Sequence, residues 1–124
     1  MHHPTKLLSL ALFSAVLVLG WAASAPETYG STKVYTISEL EVVRQAAPQY
    51  PRAAARSGFD GWVDLEFTVT PTGDVSDIEV LDSSSRVFHR EALVAMQNWQ
   101  FKPVMNGGAP APVRAQLRFT FQYQ

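Results

Sequence analysis

Trp99-Gln100-Phe101-Lys102-Pro103 decides the fold, because it closes one element and delivers the chain to the next. On its N-terminal side Phe88, Ala92, Leu93, Ala95, Met96 and Trp99 fall on one helical face, while Arg90, Glu91, Gln97 and Asn98 fall largely outside it. Pro103 stops the helix, with the chain already extended near Phe101. On the C-terminal side Asn106 to Pro112 reads as a Gly/Pro loop. Ala115, Leu117, Phe119 and Phe121 then alternate with Gln116, Arg118, Thr120 and Gln122 in a last strand.

Upstream, Gly61 to Thr70 is the clearest strand. Val63, Leu65, Phe67 and Val69 face one way; Trp62, Asp64, Glu66, Thr68 and Thr70 face the other. Pro71-Thr72-Gly73-Asp74 is a turn by composition, and Val75 to Leu81 returns as an antiparallel partner. Val75 is out of phase with Ile78 and Val80, which predicts a bulge near Ser76-Asp77. Asp82 to Ser85 supplies N-cap candidates for the helix. Before the first strand, Pro51 suits a first helical position, Arg52 to Arg56 favours a helix of two turns, and Gly58 ends it.

These elements predict an α+β fold in two layers. A three-stranded antiparallel/mixed sheet of order 2-1-3 packs on one long helix, with a short N-terminal helix before it, because a helix between strands two and three returns the chain by a crossover. The sheet's other face carries Asp64, Glu66 and Arg118, which can pair across strands. Strand three becomes an edge with a row of unpaired backbone groups.

The 124 residues fit one domain preceded by other material. Residues 7–22 form an apolar run behind Lys6, and Ala22-Ala23-Ser24-Ala25 resembles a cleavage site, so 1–24 reads as a signal peptide or a retained N-terminal anchor. Residues 25–45 read as a tether in which Val34-Tyr35-Thr36-Ile37 has weak strand character, and 46–124 as the domain. Cysteine is absent, so disulfides and thiol chemistry are excluded. A net charge of -1 with scattered signs argues against nucleic acid as a partner.

No residue pattern carries catalysis, a cofactor or a metal. Ser83-Ser84-Ser85 has no G-x-S-x-G around it and reads as a capping loop. Asp64 and Glu66 share a strand face without a pocket, and His89 has no partner at metal-ligand spacing and reads as a solvated helix residue. Trp99 and Phe101 read as core, whereas Trp62 points away from it and is a surface-contact candidate. An enzyme is therefore not expected.

Tyr50-Pro51, Gly61-Trp62-Val63, Phe67-Thr68-Val69, Gly73-Asp74-Val75, Phe88, Ala92, Ala95-Met96 and Trp99 to Pro103, with the last strand through Phe119, together resemble the TonB C-terminal domain family. The resemblance implies a periplasmic TonB-like protein-interaction module, linked to TonB-dependent transport across the outer membrane. Such a module binds a segment of an outer-membrane TonB-dependent receptor, or another envelope protein, by β-strand addition. Carried over by position, the partner-binding residues are Gln49 and Tyr50 with Val113, Arg114, Ala115, Gln116, Leu117, Arg118, Phe119, Thr120 and Phe121. Ala47 stands where a well-studied family pattern has glutamine. Transducing members carry a histidine within their membrane helix and a long Pro-rich spacer; here His2 and His3 precede the apolar run and the spacer is short. Inner-membrane motor partners are accordingly not expected. The implied location is the periplasm after export, with anchoring through 7–22 as the alternative. A homodimer, as a self-associating structural or adaptor protein of the envelope without energy transduction, is the competing reading.

Overall fold

The computed structural model describes residues 33–124. The chain runs β1 (Val34–Thr36), β2 (Val42–Arg44), α1 (Arg52–Ala55), β3 (Gly61–Val69), β4 (Val75–Ser83) and α2 (His89–Gln97). It continues as β5 (Gln100–Phe101), β6 (Val104–Asn106), β7 (Ala109–Ala111) and β8 (Val113–Phe121). Single 3-10 turns at Ile37–Glu39 and Arg86–Phe88 follow β1 and precede α2. The expected signal or anchor at 1–24 lies outside the described residues.

β3 is central because its alternation is strict: Val63, Leu65, Phe67 and Val69 are fully buried, and the intervening residues are half-buried on the other face. It pairs antiparallel with β4 on one side and β8 on the other, which reproduces the 2-1-3 arrangement. The bulge foreseen near Ser76-Asp77 is present. Asp77 takes a φ of 48°, and the register slips between the pairs Glu66–Glu79 and Thr68–Ser76. A second slip leaves Leu81 without a partner between Val80 and Asp82.

The sheet nevertheless has four strands. β1 pairs parallel with β8 through Val34–Arg114, Tyr35–Ala115 and Thr36–Gln116, giving the order β1-β8-β3-β4. The last strand is therefore not an open edge along its first half, contrary to the sequence expectation. A three-residue strand is too short to show alternation, so only its β-branched and aromatic composition signals it. The described part of the expected tether, residues 33–45, is likewise part of the folded unit.

Other elements are shorter or more ordered than predicted. α1 is a single turn with Pro51 as its N-cap, and the Gly58 N–H bonds the Ala54 carbonyl at 3.0 Å with φ 63°. α2 spans only nine residues, entered through Ser85, whose hydroxyl accepts from the Val87 N–H. The Gly/Pro loop is a hairpin, β6 against β7, turned by Gly107 and Gly108 at φ 64° and 87°. Two consecutive positive φ values mark the turn type that suits a two-residue hairpin.

The core lies between the sheet and α2. Phe88 stacks on Phe121 at 4.7 Å and Phe67 on Phe101 at 5.7 Å, while Trp99 tilts against Phe101 and meets Phe119 edge-on. Trp99 is 8% exposed and Phe101 1%, so both belong to the core as their helical spacing implied. The Phe101 N–H also bonds the Gly73 carbonyl at 2.9 Å, which docks β5 on the β3–β4 turn.

Candidate functional site

The nine residues of β8 meet β3 along their whole length, Val113 with Val69 through Phe121 with Gly61. On the opposite side β1 pairs with only three of them. Among the described residues no strand continues along that side past Gln116. The chain leaves the edge there because Thr36 starts a 3-10 turn closed by Glu39, whose carboxylate accepts from both the N–H and the hydroxyl of Thr36 at 3.0 Å. Thr36, Gln116, Leu117 and Arg118 help line a shallow depression of about 270 Å³ at this point.

Most candidate side chains on β8 are already engaged. Ala115, Phe119 and Phe121 are buried in the core, and Leu117 is the one member of that alternating set left half-covered. On the outer face Arg118 donates to both carboxylate oxygens of Asp64, at 2.6 and 2.9 Å, and its guanidinium lies 4.1 Å above the Trp62 ring. Trp62 is thus a platform for Arg118. Arg114 donates to Glu66 at 3.0 Å, the Thr68 hydroxyl at 2.9 Å, the Asp77 carbonyl at 3.0 Å and Glu79 at 3.2 Å. Gln116 donates to the other Glu66 oxygen at 2.9 Å. Past Gln116, the backbone on the side of β8 away from β3 has no strand partner among the described residues.

These contacts fix the charge state of the face. Hydrogen bonds from Arg118 hold the Asp64 carboxyl below its usual range against the opposing effect of burial. Gln116 first, and then Arg114, do the same for Glu66.

Gln49 and Tyr50 sit apart from the half of the edge that β1 covers. The Tyr50 ring packs edge-on against Phe88 and against Tyr123, just past the C-terminal end of β8, and its hydroxyl donates to the Phe59 carbonyl. Burial raises its pKa. Gln49 is exposed and opens onto a cleft of about 430 Å³ shared with Arg52, Val87, Arg90 and Glu91. Tyr50 lines the same cleft as Gln49, and its ring also reaches the end of β8 through Tyr123.

Sequence reading missed Tyr35. It is half-buried against the core, and it stands opposite buried Ala115, which places it on the core face of the sheet. Its signal was a single aromatic between two β-branched residues. His89 is not merely solvated, because its Nε2 meets the Ser83 hydroxyl and ties β4 to α2. Among the described residues no carboxylate orients that ring and no metal-binding group of three or more His, Cys, Asp or Glu is present.

Residues 46–123 match the family model described as Gram-negative bacterial TonB protein C-terminal. Protein TonB of Pseudomonas aeruginosa is 39% identical over 88 residues, 70% of this chain and 26% of that protein. Protein TonB of Escherichia coli K12 is 37% identical over 57 residues, 45% of this chain and 24% of that protein. The chain thus spans about a quarter of the length of these relatives. A solution structure of the P. aeruginosa TonB C-terminal domain superposes with a TM-score of 0.62 at 35% identity, over 75% of this chain and 97% of that one. A TonB2 structure from Vibrio anguillarum gives 0.53 at 28% identity, over 81% and 94%.

Proposed function

This chain belongs to the Gram-negative TonB C-terminal family, and from that premise we propose that it is a periplasmic module of TonB-dependent transport that captures an extended segment of an outer-membrane receptor. The segment adds as a strand to the side of β8 that faces away from β3, so main-chain hydrogen bonds supply affinity and the flanking side chains supply choice. The apolar run at 7–22 supports export.

One observation carries the reading. β8 is a nine-residue strand paired fully on one side and for only three residues on the other. Most of its side chains are committed to the core and to the outer-face ion pairs, which favours backbone groups as the recognition element.

The test is titration of isotope-labelled protein with synthetic peptides from the periplasmic N-terminal segments of TonB-dependent receptors of the same organism. Amide shifts concentrated in Val113–Phe121 are expected from at least one peptide. Shifts confined to β4, or none from any peptide, would sink the proposal.

A further inference from the structure

Resting on the strand-addition reading, we infer that β1 is a built-in stand-in for the partner. Val34-Tyr35-Thr36 occupies the first half of the receiving edge and has to leave before an extended peptide can pair there. The incoming peptide runs parallel to β8 and sets a bulky apolar side chain beside Ala115.

The register defines what fits. Tyr35 stands opposite Ala115, the smallest of the core-facing residues Ala115, Leu117, Phe119 and Phe121, and its ring packs against the core at that position. Val34 and Thr36 stand opposite Arg114 and Gln116 and are exposed. The occupant's pattern is therefore one large inward residue between two outward ones. A longer segment would continue along Leu117 and beyond, where β1 turns away, so it would make more ladder bonds than the three-residue strand it replaces.

The attachments define what moves. Among the described residues, every side-chain hydrogen bond and ion pair of residues 33–39 closes within that segment. Glu39 binds Thr36 and Lys33, Thr36 meets Ser38, and the Lys33 ammonium lies 4.3 Å from the Tyr35 ring centre. The segment can lift away with these contacts intact. From Glu41 onward the chain is fastened to the domain. The Glu41 carbonyl accepts from the Lys102 N–H at 2.9 Å, β2 pairs with β5, Arg44 donates to the Asn98 carbonyl, and the Trp99 indole donates to the Ala46 carbonyl. The hinge falls at Leu40-Glu41.

A closed plug weakens apparent affinity in proportion to the fraction of open protein. The chain has no cysteine, so a double variant Thr36→Cys with Gln116→Cys can lock β1 in register by one disulfide. Fluorescence polarisation would follow two probes on the full chain, with circular dichroism as the check on folding. One probe is a peptide of this chain's own sequence 33–40; the other is a receptor segment from the titration above. Both are expected to bind the oxidised double variant at least about 100-fold more weakly than the reduced form, and to bind Tyr35→Ala about tenfold more tightly than the unaltered chain. A receptor segment that binds oxidised and reduced protein alike overturns the plug and leaves strand addition standing at another edge. Unchanged affinity of Tyr35→Ala for both probes also overturns it. If the chain's own peptide obeys the lock while no receptor segment binds any form, the plug stands and the receptor reading falls.

Discussion

At the scale of single residues, two glycines hold the aromatic core in place and one pair does not. A Cβ at Gly61 would sit 2.0 Å from the Phe88 ring, which is fully buried and has nowhere to go. A Cβ at Gly73 would sit 2.0 Å from the Phe101 carbonyl oxygen, at a φ of 90° that side chains rarely adopt. Gly107 and Gly108 need glycine-like φ but face open space. Gly61→Ala is therefore expected to cost about 1–3 kcal/mol through overpacking. For a domain of this size that is a fall in Tm of roughly 5–20 °C. Gly107→Asn should stay within about 0.5 kcal/mol, since Asn suits the first position of this hairpin turn. Thermal melts of the two variants decide it, and equal losses would contradict the packing account.

At the scale of elements, β3 and β8 are joined on the outer face by charge as well as by backbone. Arg118 with Asp64, and Arg114 with Glu66 and Glu79, form that layer. Asp64 and Glu66 have lower pKa values in the fold than in the unfolded chain. Their contribution is thus complete above the unfolded carboxylate range near about pH 4, and it is lost as pH falls through their lower folded values. The groups are partly exposed, so the effect is small. Arg118→Met is expected to lower Tm by a few degrees at pH 6, with the gap to the unaltered chain closing by about pH 2.5. A gap that persists in acid would assign the effect to packing of Arg118 on Trp62 alone. This layer also shows how far sequence reached. The strict alternation of β3 and β8 places Asp64, Glu66 and Arg118 on one face from the sequence alone. The contacts of Arg114 to the Asp77 carbonyl and Glu79 depend on the β4 bulge, whose local geometry one-dimensional phase cannot supply. The same limit hid the pairing of β1 with β8. Three residues carry too little pattern to announce a parallel partner 80 positions downstream, whereas the long alternation of Gly61–Val69 announced its neighbours plainly.

At the scale of the whole molecule, the described residues divide into a body fastened from Glu41 onward and a short leading segment that makes its own local bonds. The two parts should contribute unequally to stability. A chain beginning at Glu41 loses the β1 pairing and the partial burial of Tyr35, Ile37 and Leu40, and offsets much of that loss by no longer ordering eight residues. Its Tm is expected within about 5 °C of a chain beginning at Lys33, equivalent to roughly 1 kcal/mol. A chain beginning at Pro48 also loses β2 and the Ala46 carbonyl, which leaves the indole N–H of a Trp99 that is only 8% exposed without its acceptor. An unsatisfied buried donor alone costs about 1–3 kcal/mol. Loss of the β2–β5 pair adds to that, so a drop of more than about 10 °C is expected. Removing only the leading segment also bares the first half of β8, and an uncovered strand edge invites pairing with another copy. In sedimentation the chain from Glu41 should therefore gain mass with concentration while the chain from Lys33 stays monomeric. Equal stability losses at the two starting points would place the hinge elsewhere, and a Glu41 chain that stays monomeric would mean that the bared edge alone does not drive self-association.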